Sequence, residues 1–148
     1  MSRPGKHWLV AGALLSSVAA ILHLAVIAGG PDWYRSVGAG EDMARMAERG
    51  SPVPALVTLG IAAGLAVWSA YALSAAGLIR RLPLLRTGLV AISAIYLLRG
   101  LMLVPVLVLK PALVDAFAFW SSLIVLVYGI TYAVGTFRAW PSLARTAS

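Results

Sequence analysis

The chain has 148 residues, of which 61% are hydrophobic and 11% are charged. Soluble domains carry about 25% charged residues, so this composition excludes an ordinary water-soluble surface and predicts a membrane protein. The formal net charge is +7, and the lack of cysteine excludes disulfide bonds, thiolate metal sites and thiol redox chemistry.

Four hydrophobic segments follow one another along the chain, at residues 8–29, 53–77, 87–109 and 112–136. Each is long enough to cross a hydrocarbon core about 30 Å thick as a helix of about 20 residues. The first segment is longer than the apolar core of a secretory signal, so we expect it to stay in the protein. Short connections between the last three segments favour antiparallel neighbours. The sequence therefore predicts an all-α membrane protein, a single membrane domain over residues 1–148 that folds as an antiparallel four-transmembrane-helix bundle.

The longest stretch outside these segments is the connection at residues 30–52. Within it, "EDMARMAER" at residues 41–49 places acids first and arginines last, which complements a helix dipole. Met43, Met46 and Ala47 form an apolar stripe at helical spacing. We therefore expect a short amphipathic helix that lies over the extracytoplasmic mouth of the bundle.

The basic residues are distributed unequally between the two faces of the predicted bundle. One face carries bases without acids, namely Arg3, Lys6, Arg80, Arg81, Arg86, Arg138 and Arg145. On the other face the acids and the remaining bases cancel. The positive-inside rule makes the basic face cytoplasmic, which places both termini in the cytoplasm. Basic residues at that face favour membrane lipids with anionic headgroups as partners, and not nucleic acid.

Small residues mark predicted contacts between helices. Gly12, Ser16 and Ala20 line one face of the first helix, and Gly60 and Gly64 form a GxxxG pattern in the second. Such faces let helix backbones approach closely in a membrane. We expect both faces to pack within the bundle and not between subunits.

The third segment contains an arginine, Arg99, within "AIYLLRGLMLVP" at residues 94–105. It lies about 9 Å below Pro105, and an unpaired arginine at such a depth costs at least about 2.5 kcal/mol. The Cβ of a helical residue tilts toward the N-terminus, which predicts that Arg99 points away from the outer interface. We therefore expect a partner, and His23 and Asp115 fall at a similar depth.

Three interpretations of Arg99 remain open. An ion pair with Asp115 would lock the third and fourth helices together. Alternatively, Arg99 contacts an anion in a polar pocket in the outer half of the bundle, or it faces a partner subunit. The pocket hypothesis assigns ligand binding to the following residues of the helices and of the loop above them: Arg99, His23, Asp115, Tyr96, Asp32, Tyr34 and Glu41.

Catalytic and cofactor patterns are weak in this chain. His23 lies in the same helix as Ser16 and Ser17, about two turns away, which disfavours a catalytic triad. No metal-ligand spacing of histidines and carboxylates is present, and "GAGED" at residues 38–42 lacks the Lys-Ser or Lys-Thr pair of a phosphate loop. We predict no metal and no cofactor, and we assign no catalytic residue.

The segment "ILHLAVIAGG", which ends at Gly30, and the "YLLRG" around Arg99 carry a resemblance to known sequences. With the arginine-rich turn between them, they resemble a set of small uncharacterised four-helix bacterial inner-membrane proteins. The resemblance implies a multi-pass protein of the bacterial inner (plasma) membrane and a shared feature at His23, Gly29, Gly30 and Arg99. It implies no activity.

Three functions are consistent with these patterns. The first is an integral membrane binding or accessory protein whose outer pocket holds a lipid headgroup or a small polar or anionic ligand. The second is a small membrane enzyme or transporter that uses His23, Arg99 and Asp115. The third is a structural subunit, in a homo-oligomer or a larger membrane complex. The weak catalytic patterns favour the first.

Overall fold

A computed structural model describes residues 4–144, apart from the side chain of Leu113, and every regular element in that part of the chain is helical. The helices are α1 (Lys6–Gly29), α2 (Pro31–Ser36), α3 (Glu41–Glu48), α4 (Val53–Ala75), α5 (Leu85–Leu101), α6 (Leu103–Leu109) and α7 (Ala116–Leu143), with a 3₁₀ turn at Pro111–Leu113. Of the seven bases on the predicted cytoplasmic face, Arg3 and Arg145 lie outside the described residues.

Four helical stretches are long and apolar enough to cross a membrane: Lys6–Gly29, Val53–Ala75, Leu85–Leu109 and Ala116–Leu143. In the apolar 18-residue section of each stretch, between 22 and 28% of the residues are buried within the chain. The many large apolar side chains on the remaining surface would be costly in water and suit lipid. The prediction of an all-helical chain with four helices able to span a membrane is confirmed for residues 4–144.

Proline divides the third span. Pro105 has no N–H to donate to the carbonyl of Leu101, four residues earlier, and its ring crowds that carbonyl. The helix accordingly ends at Leu101 and resumes at Leu103. The next hydrogen bond, from Val106 N to Met102 O, is long at 3.4 Å. The break lies just beyond Arg99.

The last span differs from the predicted 112–136 at both ends. It begins at Ala116 because Asp115 caps it, accepting a hydrogen bond from Ala118 N at 2.6 Å. It extends to Leu143, and the guanidinium groups of Arg81 and Arg86 donate to the carbonyls of Leu143 and Trp140. Carbonyls in the last turn of a helix have no partner within it, so these bonds stabilise the extension.

The described chain divides into two compact units. The first unit comprises residues 4–15 and 68–144, and within it α5 and α7 pack against each other. The two helices run in opposite directions, since Arg86 meets Trp140 near one end and Gly100 meets Leu126 further along. A Cβ on Gly100 would lie 2.8 Å from the backbone of Leu126, so glycine permits the close approach.

The first unit also contains the beginning of α1 and the end of α4. Gly12 packs on the ring of Tyr132, where an added Cβ would come within 2.9 Å. The hydroxyl of Tyr132 donates to Trp68 O at 3.1 Å, and Ser69 Oγ donates to Ala13 O at 2.9 Å. Polar side chains on apolar helices thus find backbone acceptors across the unit, as buried hydroxyls require.

The second unit comprises residues 16–67. Gly30, with φ +69°, separates α1 from α2, and Pro31 begins α2, a helix that the sequence did not predict. The predicted loop helix is present as α3. Its packed face is centred on Ala44, which is fully buried beside Val26 and Tyr34. Met43 and Ala47 of the predicted stripe pack against this cluster, and Met46 is not part of it.

The two small-residue faces have different surroundings. On α1, Ser16 is fully buried and Ala20 nearly so, which agrees with a packed face. On α4, a Cβ added to Gly60 or Gly64 would meet nothing within 4 Å. The expectation that the GxxxG face packs within the bundle is wrong, because the buried face of α4 contains Thr58, Ala62 and Leu65 instead.

Candidate functional site

Arg99 lies in the last turn of α5, on the exposed side of the helix. Its Nη1 donates to Ser122 Oγ of α7 at 3.2 Å. Ser122 is buried and neutral, so it satisfies one N–H group but does not balance the charge. Within residues 4–144, no carboxylate forms an ion pair with Arg99.

The Arg99 side chain extends along α5 in the direction opposite to the expected one. Gly100 is level with Leu126 of α7, whereas Ser122 lies four residues, about 6 Å, nearer the beginning of α7. The long side chain therefore overcomes the tilt of its Cβ and carries the charge toward the start of α7, as snorkelling arginines do. The sequence argument considered only the Cβ direction.

Asp115 is the N-cap of α7, and its exposed carboxylate accepts the hydrogen bond from Ala118 N. A carboxylate at this position satisfies an unpaired N–H and interacts favourably with the helix dipole. The ion pair between Arg99 and Asp115 is not formed in the described chain. Asp115 therefore has a local structural role that its position before α7 explains.

Tyr96 is buried in an aromatic cluster on the inner side of α5. Its ring centroid lies 4.9 Å from that of Trp68 and 5.5 Å from those of Tyr128 and Tyr132. The contacts with Trp68 and Tyr128 are edge-on, and such contacts stabilise packing beyond the area they bury. The sequence analysis did not bring these four residues together, because they come from three helices, α4, α5 and α7.

His23 lies in the second unit, partly buried on α1. Its Nδ1 is 2.7 Å from Ala19 O of the same helix, and because a carbonyl oxygen only accepts, Nδ1 is the donor of this hydrogen bond. This is the arrangement of an interior histidine that bonds to its own backbone.

The remaining predicted residues, Asp32, Tyr34 and Glu41, belong to the α2–α3 segment of the second unit. Arg35 joins the carboxylates around it: Nη1 reaches Asp32 Oδ1 at 3.3 Å and Nε reaches Glu41 Oε2 at 3.0 Å. Nη2 of Arg35 reaches Glu48 at 2.6 Å. Arg35 is thus the centre of a charged network that sequence reasoning missed, although the i, i+3 spacing of Asp32 and Arg35 indicated part of it.

The network shifts the pKa values of Arg35 and Glu41. The hydrogen bond from Arg35 is the main cause that lowers the pKa of Glu41, with a smaller contribution from Arg45. Hydrogen bonds to Glu41 and Glu48 raise the pKa of Arg35. Tyr34 lies beneath, in the apolar cluster with Val26, and its buried hydroxyl has no hydrogen-bond partner. These groups stabilise the fold of the segment.

Arg99 and Ser122 offer a site at which an anion can bind. Arg99 supplies several N–H donors and a full charge beside the Ser122 hydroxyl, which suits a carboxylate or phosphate. No group of three or more metal-ligating side chains is found among the residues that the structure describes. Three of the predicted site residues, Arg99, Asp115 and Tyr96, lie in the first unit, and the other four lie in the second.

We compared the chain with protein-family models, with curated proteins and with solved structures, and found no match to any of them.

Proposed function

We propose that this protein is an integral membrane binding or accessory protein that uses Arg99, with Ser122, to hold an anionic group. The group is a lipid headgroup or a small anion, and the two share the same recognition chemistry. We place the protein in the bacterial inner membrane as an antiparallel four-helix bundle, with both termini in the cytoplasm and the α2–α3 segment outside.

The observation that carries the proposal is the environment of Arg99. The residue lies inside an apolar span, its described hydrogen-bond partner is a neutral hydroxyl, and the side chain is exposed. An arginine within a span costs about 2.5–3.5 kcal/mol on insertion scales, and charged residues there generally pair with an opposite charge. An anion that binds from outside the chain would supply that charge.

Placement of the bases supports the proposed orientation. Lys6 begins α1, while Arg80 and Arg81 lie in the connection between α4 and α5. Arg138 lies near the end of α7. The positive-inside rule assigns these ends of the spans to the cytoplasm.

A second candidate is a subunit of a homo-oligomer or a larger membrane complex. The surface at Gly60 and Gly64 favours it, because small residues allow close helix packing and no atom of residues 4–144 lies within 4 Å of a Cβ added at either glycine. In that case a carboxylate of the partner would pair with Arg99. The enzyme or transporter hypothesis has less support, because His23 and Asp115 each bond to the backbone of their own helix.

Native mass spectrometry of the detergent-purified protein tests the proposal. We expect a bound mass on the native chain that falls about tenfold or more in Arg99→Gln, since a charge-assisted hydrogen bond contributes about 1.5–3 kcal/mol. The mass itself separates a phospholipid from a small anion. Ser122→Ala should weaken binding less, because it leaves the charge in place.

Lys110→Gln is the matched control, because it removes an exposed positive charge that follows the same span. It should retain the bound mass. A native protein without any bound mass, or one whose bound mass is equally present in Arg99→Gln, would reject the binding function. A bound mass equal to a second copy of the chain would support the subunit hypothesis instead.

A further inference from the structure

A cleft of about 580 Å³ lies where the α4–α5 connection meets the end of α7. Its volume is within the range of about 300–1,000 Å³ that is typical of small-molecule sites. Ser74 holds the connection in place, since its Oγ donates to Arg80 O at 3.0 Å and accepts from Leu82 N at 2.9 Å. The Tyr71 hydroxyl donates to Pro83 O at 3.2 Å. The cleft is therefore formed by a fixed backbone.

Two arginines line this cleft, Arg81 and Arg86. Arg86 donates from Nη2 to Trp140 O at 2.9 Å, and its guanidinium lies 4.6 Å from the centre of the Trp140 ring. A carbonyl and a ring orient the guanidinium without neutralising it, because neither carries a net charge. The Nε of Arg86 is buried and has no hydrogen-bond partner.

Within the described part of the first unit, residues 4–15 and 68–144, acidic side chains are remote from the cleft. The sequence from residue 68 to residue 148 contains one, Asp115. It caps the beginning of α7, whereas the cleft lies at the end of this 28-residue helix, about 40 Å away. Such a distance is several Debye lengths at physiological salt, so Asp115 does not balance the charge of Arg86.

The start of α5 adds donors to the same place. Leu84 precedes the helix in a left-handed conformation with φ +51°, and no side chain caps the helix. The first N–H groups of a helix lack partners within it and carry a partial positive charge. Thr87, in this first turn, also lines the cleft. The cleft therefore presents positive charge and hydrogen-bond donors.

An apolar groove of about 890 Å³ runs between α5 and α7 next to the cleft. Val90, Ala94, Leu97 and Phe137 line it, and Phe137 is 82% exposed. Trp140 lines the groove while its ring contacts Arg86 of the cleft. A basic cleft and an apolar groove that meet at one side chain match a molecule with an anionic head and a hydrocarbon tail.

We propose that this cleft and groove form a binding site for one anionic phospholipid, with its phosphate on Arg86 and Arg81 and an acyl chain along the α5–α7 groove. The site is separate from the proposed Arg99 site, since Arg86 and Arg99 are thirteen residues, about 20 Å, apart on α5. The two proposals can therefore fail independently.

Quenching of Trp140 fluorescence by brominated lipid tests the proposal at the site itself. In a variant that keeps Trp140 and replaces the other four tryptophans by phenylalanine, the protein is reconstituted into phosphatidylcholine vesicles with a minority of phosphatidylglycerol. Either the phosphatidylglycerol or an equal amount of phosphatidylcholine carries the bromines. Salt of about 0.5 M screens the general attraction of the basic face.

We expect brominated phosphatidylglycerol to quench Trp140 more strongly than brominated phosphatidylcholine. In Arg86→Gln the relative affinity for phosphatidylglycerol should fall about tenfold or more, since a charge-assisted hydrogen bond to phosphate is lost. The ratio of the two quenching values corrects for any change that the substitution makes in Trp140 itself. Circular dichroism establishes that each variant is folded. Arg81→Gln provides a second test that keeps the contact between Arg86 and Trp140 in place.

Arg80→Gln is the matched control, because it removes the same charge from the same connection but Arg80 does not line the cleft. It should retain the preference. Equal quenching by the two lipids in the variant that keeps Trp140 and has no further substitution would overturn the proposal. So would a preference that Arg80→Gln and Arg86→Gln reduce equally, which would indicate general attraction to a basic surface.

Discussion

At the scale of single residues, the glycines show how differently one residue type functions along this chain. Gly100 and Gly129 lie where α5 and α7 approach most closely, and a Cβ at either position would come within 2.8 Å of the other helix's backbone. Gly60 and Gly64 face open surface. The sequence gives these four positions the same appearance, glycine in an apolar helix, so only the packing distinguishes them.

Substitution of Gly100 by alanine should destabilise the protein. The added methyl group meets the Leu126 backbone, which cannot rotate away, and overpacking of this kind costs about 1–3 kcal/mol. Unfolding in mixed micelles with increasing denaturing detergent measures the loss. Gly64→Ala is the control and should be neutral or slightly stabilising, because alanine favours helix and nothing lies near the new Cβ. Equal destabilisation by both substitutions would contradict the described α5–α7 contact.

At the scale of helices, the α2–α3 segment is held by an apolar cluster below and by the Arg35 network above. Tyr34, Ala44 and Val26 provide the burial. Arg35 joins α2 to both ends of α3 through Glu41 and Glu48. Helices of six and eight residues are too short to be stable alone, so these contacts are what order the segment.

The network predicts that α3 is less stably folded in acid. The pKa of Glu41 is lower in the folded chain than in the unfolded chain, so the unfolded state binds the proton more tightly. The stabilisation is therefore fully present above the ordinary glutamate value of about 4.3 and is lost as the pH falls through the lower folded value. Hydrogen exchange of residues 41–48, expressed as protection factors, should show protection decreasing in that range.

Two variants complete this experiment. Arg35→Ala should lower protection of α3 at neutral pH and remove most of the acid-induced change, because the main cause of the shift is gone. Arg49→Ala removes an arginine at the end of α3 that has no described ion pair, and it should behave as the native chain does. If the pH dependence persisted in Arg35→Ala, another group would have to be responsible.

At the scale of the whole molecule, the distribution of charge predicts how the chain crosses the membrane. The chain has no cysteine, so single cysteines can be introduced without altering a native thiol. Ala39→Cys, between α2 and α3, should react with an impermeant maleimide on intact cells. Leu78→Cys, between α4 and α5, should react only after the membrane is permeabilised. The reverse pattern would invert the proposed orientation, and labelling of both in intact cells would contradict it.

The four spans could be predicted from the sequence because hydrophobicity adds up locally, residue by residue, without reference to the rest of the chain. The loop helix could be predicted for the same reason, since "EDMARMAER" contains its own dipole pattern. The ends of the spans were harder to predict from the sequence. The last helix extends to Leu143 in contact with arginines more than fifty residues away, which no local pattern reveals.

The candidate site shows the same division. Sequence alone determined that Arg99 lies in an apolar span and requires a partner, because the cost of a charge in hydrocarbon depends only on where it is placed. Tertiary structure decided which groups surround it. Arg99 donates to Ser122, Asp115 caps its helix, and Tyr96 joins an aromatic cluster, because each of these contacts depends on the register and facing of two helices. The register and facing of two helices are set by packing between segments that are distant in the chain. Composition and residue spacing do not show this packing.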